Sequence, residues 1–299
     1  MKKTDDSKKV IDLNSRMGSQ SEKNAKKGNA SRQQHTKIIT ISSGKGGVGK
    51  TNIVANLGYA LCRFGKRVLI LDADLGLGNL DVLLGLTPEY NLSHVINGEK
   101  KLGDIVVSGP GRLQILPAAS GIQEMTALTQ EERYLVFSQL NEFIRDFDIM
   151  LIDTAAGISA NVLYFNINAD EILLVATPEP TSITDAYALM KVLSVKYGSD
   201  HFKLVVNAVA SENEADEVFR QISLVADRFL NVDIEFYGGI LFDENLKKGV
   251  RQQKVVSELA PLSKASRNFS TLARKIAAAP FDEGKRRNTP WGLMDVLKP

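Results

Sequence analysis

Apolar residues along this chain fall into short runs, separated by stretches in which they recur at helical spacing. Seven runs have strand character, over residues 37–42, 67–72, 113–117, 148–153, 171–177, 203–208 and 234–241. The first, fourth and fifth are nearly unbroken, as expected of strands covered on both faces of a parallel sheet. Between the runs the period lengthens to that of a helix. Ile53, Val54, Leu57, Leu61 and Phe64 share one helical face, and similar patterns predict helices over 50–64, 130–145, 158–167, 181–197, 214–229 and 257–278. Regular alternation of strand and helix predicts an α/β fold, a doubly wound and mostly parallel sheet with helices on both faces, in one domain over residues 37–280.

The flanks read differently. Residues 1–36 are rich in Lys, Ser, Asn and Gln and poor in apolar side chains, which predicts a disordered basic tail. Val10, Ile11, Leu13 and Met17 allow a short amphipathic turn that docks on a partner; a purely solubilising tail is the other reading. In residues 281–299 a helix would gather Leu293, Met294, Val296 and Leu297 on one face with Trp291 at its margin. Pro290 suits the first turn. So short a helix is unstable in water. Lipid or a partner would have to induce it, and Lys285, Arg286 and Arg287 favour an anionic surface. Docking of this tail on its own domain is the alternative.

The chemistry concentrates after the first strand. Gly44-Lys45-Gly46-Gly47-Val48-Gly49-Lys50-Thr51 fits the phosphate-binding pattern G-x-x-x-x-G-K-[ST]. Its glycines let successive backbone N–H groups turn onto phosphate oxygens. Lys50 can neutralise the outer phosphates, the Thr51 hydroxyl can ligate Mg²⁺, and Asn52 joins them at the start of a helix whose N-terminus faces the anion. Two further strands end in acids: Val68-Leu69-Ile70-Leu71-Asp72-Ala73-Asp74, and Ile149 through Asp153. Carboxyl ends of parallel strands are where open α/β sheets bind ligands, and Mg²⁺ beside a triphosphate wants hard oxygen ligands. Asp72 has a plainer reading as a helix cap. Asn207 ends another strand with an amide whose donor and acceptor match an adenine edge, and no Asn-Lys-x-Asp guanine signature follows. ATP with Mg²⁺ is therefore expected.

Composition narrows the class. With 43% hydrophobic and 24% charged residues, the 299-residue chain can build one large core. Met1-Lys2-Lys3 leads into Thr4-Asp5-Asp6-Ser7 rather than an apolar run, and no stretch reaches the roughly 18 apolar residues of a membrane span. A cytoplasmic protein is expected. Cys62 stands alone, so neither a disulfide nor a cysteine-ligated metal is available. The first 37 residues carry a charge of +6 and the last nineteen +1, out of a net +2, which leaves −5 on the core. A core that gripped DNA directly would be basic. The basic run Lys247, Lys248, Arg251 and Lys254 reads as a solvated helical face, and His94 receives no chemistry.

Lys45 is superfluous in an ordinary phosphate loop, and with it the segment resembles the deviant P-loop of the MinD/ParA family of dimerising ATPases. The resemblance implies that Lys45 reaches the partner subunit's nucleotide, like an arginine finger. It also implies that Lys45, Lys50 and Asp74 are catalytic, with Asp74 orienting the attacking water. Asp153 would hold the metal shell with Thr51, Asp72 would assist, and Asn207 would read the base. Longer blocks narrow the match: Asp74 to Leu86, Tyr90 to Glu99, Gly109-Pro110-Gly111, Leu116 to Gly121 and Thr181 to Leu189. Together they resemble the FlhG/FleN (YlxH) flagellar-number regulators over about residues 37–275. That group implies a homodimer in the ATP state. Its implied partners are an SRP-type GTPase (FlhF), a flagellar switch or C-ring protein, and an enhancer-binding transcription activator. Reversible inner-membrane association through a C-terminal helix is implied as well.

Two departures bear on this. Asp5 to Leu13 matches poorly the N-terminal motif by which some members activate FlhF, and the base-binding loop reads Ile240-Leu241-Phe242-Asp243 where MinD relatives often carry proline. The alternatives are a ParA-type DNA-partitioning ATPase, which the acidic core disfavours, and an antagonist of a transcription activator that uses ATP only as a ligand. Metal-cluster carriers of the same superfamily need paired cysteines.

Overall fold

The computed structural model describes residues 35–74, 78–117 and 129–279. The expectations for residues 1–34 and 281–299, for residues 75–77 and for 118–121 fall outside the described residues; Thr36, expected in the tail, is buried and donates its hydroxyl to the Phe147 carbonyl at 3.0 Å. The chain runs β1 (Lys37–Ser43), α1 (Lys50–Arg63) and β2 (Val68–Ala73). Three short helices follow, α2 (Leu80–Leu84), α3 (Leu92–Ile96) and α4 (Leu102–Ile105), and lead to β3 (Val107–Ser108) and β4 (Gln114–Leu116). Next come α5 (Gln130–Phe143), β5 (Ile149–Ala156), α6 (Ala160–Asn168), β6 (Glu171–Ala176), α7 (Pro180–Tyr197), β7 (His201–Val209), α8 (Glu212–Phe229) and β8 (Asp233–Leu241). Last are α9 (Glu244–Arg251), α10 (Val256–Leu259) and α11 (Lys264–Ala278).

All eight strands join one sheet in the order β3-β4-β2-β5-β1-β6-β7-β8. Every pairing is parallel except β3 with β4. β1 lies between β5 and β6 and is buried along its whole length, as its apolar run requires. Helix α1 and helix α11 cover one face, where Ile39, Ile41 and Leu173 meet Val54, Leu57 and Phe269. On the other face, Phe137 of α5 and Tyr164 of α6 pack against Met150 and Ile152, and Leu189 of α7 and Ile222 of α8 against Leu174 and Leu204. This is the doubly wound, mostly parallel sheet that the alternation predicts.

Two element predictions need correction. The expected helix over 257–278 is two helices, because Pro261 drives the preceding Ala260 out of helical geometry (φ −140°, ψ 74°). Ser263 then caps α11 by accepting from the Ser266 amide. Strand β3 was not anticipated: two residues paired antiparallel at the sheet edge are too short to show a period.

Candidate nucleotide site

The site is built at the carboxyl ends of the central strands. β1 delivers the chain into the loop at Ser43 and α1 takes it away at Lys50. Two glycines are required by what surrounds them. A Cβ on Gly44 would lie 2.0 Å from the Asp185 carbonyl oxygen of α7. Gly49 adopts φ +94°, and a Cβ there would meet the Asn207 amide nitrogen at 2.5 Å. Gly49 is also the N-cap of α1 and offers no side chain to its amides. The helix N-terminus is thus left open toward the loop, the arrangement that receives anions. Gly46, Gly47 (φ +76°) and Val48 complete the loop, and Asn52 lies half-buried in the first turn of α1.

Lys50 is buried, and its Nζ donates to Ser43 Oγ at 2.9 Å. Burial lowers its pKa, while Asp153 and Asp74 hold the ammonium in its charged form. Asp72 and Asp153 are register partners across β2 and β5, and both are buried. Desolvation pushes the Asp72 carboxyl up to about 7, although it accepts from the amides of Asp74 and Leu80. Asp153 is raised by burial and then by Asp72, against the Thr51 hydroxyl that bonds to it and the charge of Lys50. Its Oδ1 is buried without a hydrogen-bond partner.

Two crowded acids with an orphaned carboxylate oxygen beside a hydroxyl suit a hard divalent cation. No group of three or more Asp, Glu, His or Cys that could hold a metal occurs among the described residues. Phosphate oxygens and water would therefore have to complete the shell of Mg²⁺ held by Thr51 and Asp153.

Lys45 points elsewhere. Its Nζ forms an ion pair with Glu179 and donates to Thr181 Oγ1 at 2.7 Å, at the start of α7. Within one chain the second lysine is held outside the phosphate cradle. Asn207 closes the other end of the site. Its Nδ2 donates to the Val48 carbonyl at 2.7 Å, tying β7 to the loop. The next residue, Ala208, has φ +58° at a register break in the β7–β8 ladder.

A cleft of about 760 Å³ opens here, lined by Gly47 to Gly49, Thr177 to Glu179, Asn207, Ala208, Ala210, Glu214, Phe242 and Lys264. The Thr177 hydroxyl is buried and without a partner. Sequence reasoning missed Glu179, Glu214 and Lys264 as site residues and gave Thr181 no role, because they arrive from α7, α8 and α11; Phe242 lies in the segment expected to form the base-binding loop. Only Glu179 lies just past a predicted strand; Glu214 and Lys264 fall within predicted helices and carried no signal. His94 has a structural duty instead, completing the capping box of α3 with Asn91.

Comparison with known proteins agrees with this geometry. A family model described as an AAA domain matches residues 36–201. The antiactivator FleN of Pseudomonas aeruginosa is 44% identical over 83% of this chain and 89% of its own length. The flagellum site-determining protein YlxH of Helicobacter pylori is 34% identical over 88% and 89%. The solved septum site-determining protein MinD of Pyrococcus horikoshii, complexed with Mg-ADP, superposes with a TM-score of 0.68 at 27% identity, covering 82% of this chain and 97% of MinD.

Proposed function

This chain belongs to the FleN/YlxH (FlhG) group of the MinD/ParA family, and from that premise we propose that it is an ATP-dependent dimerising switch that regulates flagellar number and placement. The observation that carries the proposal is the resting position of Lys45. A loop lysine that the chain's own phosphate cradle does not use is held by Glu179 and Thr181 at the mouth of the site. It is a charge in reserve. Freed from α7, it reaches across a two-fold interface to the triphosphate of the partner subunit, where a positive charge stabilises both the bound phosphates and the charge that builds during hydrolysis.

The roles within one subunit follow. The amides of Gly46 to Thr51 and the Lys50 ammonium bind and orient the phosphates. Mg²⁺, when bound at Thr51 and Asp153 with Asp72 behind, would neutralise charge on the phosphate oxygens. Asp74 orients the attacking water. Asn207 reads the adenine edge and Phe242 offers the base an apolar face. Binding energy from the terminal phosphate separates a dimeric state from a monomeric one. The dimer presents the surface that restrains a flagellar transcription activator, engages an FlhF-type GTPase or meets a C-ring protein. Reversible association with the inner membrane belongs to the C-terminal tail.

Size-exclusion chromatography with ADP or a non-hydrolysable ATP analogue, with and without anionic liposomes, tests the switch. ATP-state dimers should form in wild type and vanish in Lys45→Ala, which keeps measurable nucleotide binding. Undiminished dimerisation of Lys45→Ala would sink the scheme. A second reading, an antagonist for which ATP is only a ligand, is favoured by the antiactivator relative. Asp74→Ala separates the two: the switch predicts a trapped dimer and disturbed flagellar number, the ligand-only reading unchanged control.

A further inference from the structure

Ser43 and Asp153 continue the alternation of Ile39, Ile41 and Leu151, which face α1. Pleating sends neighbouring residues to opposite faces, so behind Ser43 stands Ser42 and behind Asp153 stands Thr154. Both back residues are buried; Ser42 and Thr40 converge on one amide of α6, and Thr154 joins them through Ser42. Asn166 Oδ1 accepts from Thr40 Oγ1 at 3.0 Å and from Ser42 Oγ at 3.0 Å. Its Nδ2 donates to the Val162 carbonyl at 2.7 Å. Thr154 Oγ1 lies 2.9 Å from Ser42 Oγ and 3.0 Å from the Ile41 carbonyl. The Asn166 carbonyl has both lone pairs filled, and three hydroxyls on two strands are tied to one helix.

This arrangement exceeds what packing requires, since an apolar layer would seal the same face without the desolvation cost of four polar side chains. Its location is the informative part. Ser43, one residue from Ser42, accepts from Lys50, and its carbonyl accepts from the Gly157 amide at 2.9 Å in the segment that leads into α6. Asp153, one residue from Thr154, carries the orphaned oxygen. A shift of α6 therefore moves the backbone of both strand ends, and a change at the phosphate end is felt by α6.

We propose that Asn166 is a positioning residue: with Thr40, Ser42 and Thr154 it forms a buried hydrogen-bonded layer that fixes the strand ends carrying Ser43 and Asp153 and couples helix α6 to the metal position. The inference rests on the nucleotide reading above. Residues that orient metal-holding side chains are worth about 10–100-fold in metal affinity. They leave metal-free contacts untouched.

The test measures binding of a fluorescent ATP analogue to the full chain, first in EDTA and then across a Mg²⁺ titration, with thermal unfolding alongside. Asn166→Val should bind the analogue normally in EDTA but need at least about tenfold more Mg²⁺ for half-maximal tightening. It should also be less stable, because two hydroxyls lose their acceptor. In Thr40→Val/Ser42→Ala/Asn166→Val the amide goes together with both hydroxyls that donate to it, and Thr154 keeps the Ile41 carbonyl as a partner, so stability should largely return while the Mg²⁺ requirement stays high. Should Asn166→Val not fold, the triple variant carries the test. A normal Mg²⁺ response in the triple variant, or in a folded Asn166→Val, overturns the proposal and leaves a packing role only. Wild type that binds no analogue with Mg²⁺ overturns the nucleotide reading itself and the proposal with it.

Discussion

At the scale of single residues, the site is dominated by one unfavourable fact: Asp72 and Asp153 are buried side by side at the ends of adjacent strands. Asp72, with its pKa raised by desolvation to about 7, binds a proton in the folded chain that the unfolded chain releases near its ordinary value of 3.8. Between those values the native state holds more protons, so this group's contribution to stability falls as pH rises from about 4 to 7. Asp72→Asn should therefore raise the unfolding temperature of the nucleotide-free protein at pH 8 and flatten its decline from pH 5 to 8. Calorimetry that finds the same pH profile in wild type and variant would refute that account. Much of this scale could be read in advance. The pattern Gly44 to Thr51 and the acids at two strand ends mark the candidate site from residue order, and the structure brings them together at one end of the sheet. The Lys45–Glu179 pair could not be read, because its members are 134 residues apart and neither carries a motif for the other.

At the scale of elements, the strands are held together away from the site as well as at it. Glu171, the first residue of β6, bridges Lys37 of β1 at 2.6 Å and Lys203 of β7 at 2.6 Å. All three side chains are mostly buried. Removing the carboxylate strands two desolvated ammonium groups, a loss of about 3 kcal/mol. Glu171→Ala should lower the unfolding free energy from denaturant titration by that amount, and nucleotide affinity should hold, because the bridge lies at the opposite end of the strands from the loop. A selective loss of nucleotide binding would contradict this. Element identity was legible wherever burial set a long period, as in β1, β5 and α1. It failed where a local geometric rule overrode the period, as at Pro261, or where pairing rather than sequence makes the strand, as at β3.

At the scale of the whole molecule, the proposed switch makes the balance between monomer and dimer depend on how firmly α7 holds Lys45. Glu179 is largely exposed, so the pair is worth at most about 1 kcal/mol. Glu179→Gln should lower the ATP concentration for half-maximal dimerisation by no more than about fivefold, as measured by light scattering; a higher requirement would show that Glu179 promotes assembly. No helix of the described residues is long and apolar enough to cross a membrane. Residue order alone was enough for the layering of the fold, the phosphate loop and the acids beside it, because apolar period and backbone geometry are local properties of a chain. The grip of α7 on Lys45, the cleft shared by Asn207, Glu214, Phe242 and Lys264, and the layer behind Asp153 exist only once distant segments are packed. Each depends on which side chains the sheet order brings within hydrogen-bonding distance, and no local pattern encodes that order.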